Sequence, residues 1–143
     1  MTIETLFSAC NLLAMAGWIL LLAVPRSRVA MRIAGTVIPL TLAAIYLTLF
    51  VLHARGSSGG FSSLAAVAQL FGNHWLLLAG WVHYLAFDLF VGAWLVRAAR
   101  EAAVPFLLVV PCLVLTFLFG PSGLLAFLAL RAARNPTAAV ATA

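Results

Sequence analysis

Four long apolar runs, almost free of charge, decide which solvent this chain can fold in. They cover about Leu6 to Val24, Ile33 to His53, His74 to Val96 and Val104 to Leu130. Each is about as long as, or longer than, the roughly 20 residues that a helix needs to cross a bilayer core. Charged residues make up only 8% of the 143 positions and hydrophobic ones 66%. That leaves too little polar surface to coat a water-facing domain of this size. The expected fold is all-α: a single four-transmembrane-helix bundle over 1–134, followed by a disordered tail over 135–143.

Smaller signals divide the runs. Pro25 and Arg26 stop the first, and Pro39 inside the second predicts a kink. A Gly- and Ser-rich loop from Ala54 to Phe61 follows. The apolar piece from Ser62 to Gly72 is too short to span. With Ser62 or Ser63 as N-cap, it reads as a short interfacial or re-entrant helix between spans two and three. Gly120-Pro121-Ser122-Gly123 predicts a break or hinge in the fourth run.

The net charge is +5 and all eight basic residues are arginine. They flank the apolar runs, where headgroup phosphates and the positive-inside rule place them, so no nucleic-acid surface is implied. With four spans, Arg26, Arg28, Arg32, Arg97 and Arg100 share one side, and Arg55, Arg131 and Arg134 the other. That balance favours both termini outside the cytoplasm. Glu4, the lack of a basic leader and the length of the first run argue against a cleavable signal peptide. Cys10 and Cys112 sit in apolar stretches and read as buried free thiols.

The informative residues are polar ones inside the spans. Asp88 falls roughly 4 Å from the midpoint of the third span at 1.5 Å per residue. An ionised carboxylate there costs at least about 2.5–3.5 kcal/mol, so it must be neutral, paired or beside water. Trp81, Tyr84 and Asp88 share one face with Leu77 and Gly92, at spacings of three and four. His83 lies about 140° away, with Phe87, Phe90, Trp94 and Arg97. Asn11 shares a face with Ser8 and Trp18, and Tyr46 shares one with His53. Cys112, Thr116, Gly120 and Gly123 form a small-residue stripe suited to close packing. Several of these have plain structural readings: Asn11 as an interhelical hydrogen-bonding group, His53 and His74 as interfacial anchors, the aromatic rings as core. No metal-ligand spacing, phosphate loop or nucleophile triad is visible.

The stretch Gly80 to Trp94 carries a specific pattern, His83-Tyr84-x3-Asp88-Leu89-Phe90-x-Gly92. With Pro105 to Gly123, and with Asn11-Leu12 and Gly17-Trp18 ahead of Pro25, it resembles the abscisic-acid-deficient-four-like membrane family. The resemblance covers nearly the whole chain. In plants that family is needed to form neoxanthin from violaxanthin. The resemblance therefore implies a carotenoid or similar lipid as partner. Without a plastid transit extension, the chain reads as a bacterial member, multi-pass in the inner (cytoplasmic) membrane.

Opening a carotenoid epoxide to an allene needs an acid for the oxygen and a base for a carbon-bound proton. Asp88 and His83 are the candidates, with Tyr84 beside Asp88. No cofactor is required, because an isomerisation moves no net electrons. Asn11, Trp18, Tyr46, Trp81 and Trp94 are the candidate substrate-binding residues, able to hold or stack along a polyene. The expectation is a cofactor-independent carotenoid or lipid isomerase. The alternative is a non-catalytic carotenoid- or lipid-binding protein, or an accessory subunit of a membrane complex. A homo-oligomer or partner membrane protein fits either, and transport is a third, weaker reading.

Overall fold

The computed structural model describes residues 2–134, so the expected tail over 135–143 lies outside the described residues. Six helices carry the fold: α1 (Ile3–Ala23), α2 (Arg28–Ala54), α3 (Leu64–Phe71), α4 (His74–Glu101), α5 (Phe106–Phe119) and α6 (Pro121–Arg134). No strand occurs among the described residues. α1, α2 and α4 are long and apolar enough to cross a membrane.

Local sequence explains most of the boundaries. Thr2 caps α1 by accepting from the Thr5 N–H at 3.2 Å, and Pro25 follows its end. Ser27 caps α2, accepting from Ala30 at 3.2 Å. Pro39 has no N–H to offer the preceding turn and its ring crowds the carbonyl four residues back. α2 absorbs this by widening into a π turn at Ile33–Val37, directly ahead of Ile38 and Pro39. The predicted perturbation is thus a widened turn, and the helix runs on through it. Ser63 caps α3, whose Phe71 ring covers Gly80 of α4.

α4 is the axis of the molecule. Just over half of its apolar window, 56%, is buried, against 28% for α1 and α2. α1 seats Trp18 in the space left by Gly92, where a Cβ would come within 2.7 Å of the indole. α2 brings Gly35 onto Ala93 in the same way. α4 ends in a tight double closure: Val104 N–H donates to Ala99 O at 2.8 Å and Ala103 N–H to Arg100 O at 3.1 Å. Ala103, at φ 51°, takes the left-handed position that glycine usually fills in this motif.

The fourth run carries the break expected at Gly120-Pro121-Ser122-Gly123. Val104 to Leu130 is not one helix but two of 14 residues each, broken at Gly120. Each is about 21 Å long at 1.5 Å per residue, too short for the roughly 30 Å core of a bilayer. They fold back on each other. A Cβ at Gly123 would overlap Thr116 Oγ1 and the Cys112 carbonyl, which a continuous helix would hold far away. Gly120 makes the reversal at φ 53° and ψ −106°, backbone that disfavours any side chain. The small-residue stripe closes this hairpin on itself.

The reversal also moves charge. Phe127 of α6 meets Trp94 of α4 edge to face at 5.9 Å between centroids, so α6 travels back toward the end of α4. Arg131 and Arg134 therefore join Arg26, Arg28, Arg32, Arg97 and Arg100 at one end, and Arg55 stands at the other. The two ends of the described chain lie at opposite ends of the bundle, not on one side as the four-span count implied.

Candidate functional site

The face of α4 that carries Asp88 meets the tip of the α5–α6 hairpin. Asp88 Oδ1 lies 3.2 Å, and Tyr84 Cε2 3.4 Å, from the point where a Cβ on Gly120 would stand. A larger residue at the tip would press on the carboxyl. Asp88 itself is half-buried. Its Oδ2 is buried and has no hydrogen-bond partner among the described residues.

Above Asp88 the face continues as a polar and aromatic ladder toward α1. The Trp81 and Tyr84 rings are 5.5 Å apart. Trp81 Nε1–H donates to Asn11 Oδ1 at 3.1 Å, and Asn11 Nδ2–H donates to the Phe7 carbonyl at 2.7 Å. Phe7 completes the group, its ring 5.9 Å from that of Trp81. Asn11, Trp81, Tyr84 and Asp88 therefore form one continuous strip on the α1 side of α4.

His83 is not part of it. It is exposed on the α2 side, 4.6 Å from Phe87 and 5.3 Å from Tyr46 between ring centroids. The structure does not pair it with Asp88, as the 140° offset on the helix anticipates. Tyr46 and His83 instead border a groove of about 260 Å³ under α3, walled by Phe50, Phe61, Phe71 and Gly80. Two further candidates pack against neighbouring helices. Trp18, 4% exposed, wedges against Gly92 and meets Phe117 edge on at 5.5 Å. Trp94 is half-buried against Phe127.

The eight candidate residues thus divide into the Asp88 strip, the Tyr46–His83 groove and two tryptophans packed between helices. Sequence reasoning did not place Gly120 beside Asp88. The signal was present, since Gly120-Pro121 interrupts an apolar run, but a break does not say how far the chain turns. Phe7, Phe50 and Phe61 were missed because a lone Phe in an apolar run has no distinguishing mark. Cys10 and Cys112 are free and buried. No group of three or more His, Cys, Asp or Glu gathers among the described residues.

No curated protein and no solved structure matches this chain. Among protein families, the one described as ABA DEFICIENT 4-like matches residues 5–127, a stretch that takes in α1, the Asp88 strip and the hairpin as far as Phe127. The chain belongs to the ABA4-like family.

Proposed function

We propose that this membrane protein binds a carotenoid or a similar elongated lipid along the Asn11–Trp81–Tyr84 strip, and that Asp88 is the group that acts on it. The observation that carries this is the half-buried Asp88 carboxyl set between Tyr84 and the hairpin tip, its Oδ2 buried there. A buried polar atom without a partner is costly and seldom kept without use.

The chemistry follows from the carboxyl alone. As an acid it gives its proton to an epoxide oxygen, and the C–O bond opens. The carboxylate left behind takes a proton from a neighbouring carbon as the new double bond forms. One proton leaves and one returns, so the reaction is an isomerisation needing no co-reactant. The Tyr84 hydroxyl, one turn away, is placed to orient the oxygen. His83 is not required as the second group, because one carboxyl performs both transfers.

A second reading rests on a different observation. The aromatic groove between Tyr46 and His83 stands apart from Asp88, as a surface that holds a pigment without changing it would. In that reading the chain is a carotenoid-binding or accessory subunit.

Co-expression with a carotenoid pathway, followed by chromatography of the extract and of the purified protein, separates the two. The isomerase reading expects a new carotenoid of unchanged mass, lost by about 100-fold or more in Asp88→Asn and retained in His83→Ala. An unchanged pigment that travels with the protein, and is lost on Tyr46→Ala, establishes the binding reading. Full conversion by Asp88→Asn overturns the role given to Asp88.

A further inference from the structure

At the arginine-rich end, the turn after α1 and the turn after α4 face each other across an open groove of about 770 Å³. Val24 to Ser27 form one rim, with the exposed Arg26. Ala103 to Phe106 form the other, next to exposed Arg100 of α4. No acidic side chain lines it. Below the rims the walls become apolar, with Leu22 and Val96.

Leu22 also lines a second, wholly apolar groove of about 110 Å³, which continues between α1 and α5 past Ile19 and Trp18 to Leu113 and Phe117. The two are consecutive along α1. The two grooves meet at Leu22: Arg26 and Arg100 line the first, and only apolar and aromatic side chains line the second.

We propose that this is a binding site for an anionic phosphate-headed lipid of the surrounding bilayer. Arg26 and Arg100 hold the phosphate, and one chain runs down the α1–α5 seam along Leu22 and Ile19. The arginine fork presents paired N–H donors that match phosphate oxygens, and guanidinium stays charged at any working pH. Charge complementarity selects the head, and the apolar continuation requires a tail, which a free anion lacks. The site is separate from the Asp88 strip and does not depend on the function proposed above.

The test is native mass spectrometry of the full chain released from mixed phosphatidylglycerol and phosphatidylcholine micelles. Wild type is expected to retain one phosphatidylglycerol in clear preference to phosphatidylcholine. Arg26→Gln with Arg100→Gln should lower that retention about tenfold or more. Arg131→Gln with Arg134→Gln removes the same charge from the same end, outside the groove, and should change little. Leu22→Trp, which fills the junction of the two grooves, should also expel the lipid while leaving both arginines in place. Millimolar inorganic phosphate should not displace it. Equal loss in the two arginine pairs would reduce the effect to diffuse surface charge and overturn the proposal. So would displacement by inorganic phosphate, or unchanged retention in Leu22→Trp. If the Arg26/Arg100 double variant does not fold, each single variant is read in its place, and unchanged retention in both overturns the proposal.

Discussion

Asp88 and Gly120 touch across the bundle: a carboxyl oxygen of the long axial helix stands 3.2 Å from where a side chain at the hairpin tip would begin. The carboxyl and the reversal therefore occupy one site, and each limits what the other position can hold.

Gly120→Ala should destabilise the protein by about 1–3 kcal/mol, because a Cβ is strained at that positive φ and crowds Asp88. Thermal unfolding in detergent measures it. Asp88→Ala made together with Gly120→Ala should recover part of the loss, by relieving the contact but not the backbone strain.

Asn11→Ala and Trp81→Phe should each weaken the union of α1 and α4 by about 1 kcal/mol. A double-mutant cycle should give a coupling of about 0.6 kcal/mol, the average for hydrogen bonds between helices in membranes, and no more than about 1.7 kcal/mol. Strict additivity of the two would show that the bond contributes nothing.

Gly92→Leu should cost about 1–3 kcal/mol through overpacking, since Trp18 already fills that space. Trp18→Ala in the same chain should restore a substantial part of it. Denaturant titration in micelles of wild type, the two single variants and the double variant reads this directly.

Ala103→Gly should stabilise, which few substitutions do. The left-handed position costs alanine about 1–2 kcal/mol, and the greater freedom of glycine in the unfolded chain offsets about 0.4–1 kcal/mol of the gain. A net increase of about 0.5–1 kcal/mol in unfolding free energy is expected.

Orientation follows from the hairpin. With seven arginines at one end and Arg55 at the other, the positive-inside rule puts the C-terminal end of α6 in the cytoplasm and the start of α1 outside it. Reporter fusions after Arg134 and at residue 2 should report opposite sides. Reports from the same side would require α5 and α6 to cross the bilayer as one extended span instead of folding back.

Helix periodicity was the part of this structure that could be read in advance. Spacings of three and four placed Trp81, Tyr84 and Asp88 together and turned His83 away, because that geometry is intrinsic to one helix. The N-caps Ser27 and Ser63, the disturbance by Pro39 and the break at Gly120 are also local. What the sequence could not display is the angle through which a break turns the chain. Hydropathy reads the same for a kinked span and for two helices folded back, since it sums over the same residues in either case. The reversal depends on Gly123 fitting against Thr116 and Cys112, a contact between residues too far apart for any local period to register. The packing of Trp18 on Gly92 and of Trp94 on Phe127 is likewise a contact between distant residues that no local period shows.

The break at Gly120 also bears on the order in which the chain is built. A 14-residue helix is too short to be retained in a bilayer as a crossing segment of its own. The three long helices therefore insert first as independent units, and the C-terminal pair enters afterwards, against a surface they have already formed. During that interval Asp88 faces lipid or water with no hairpin over it. A chain halted after Arg100 would hold its three long helices yet remain unfinished, its acidic group uncovered.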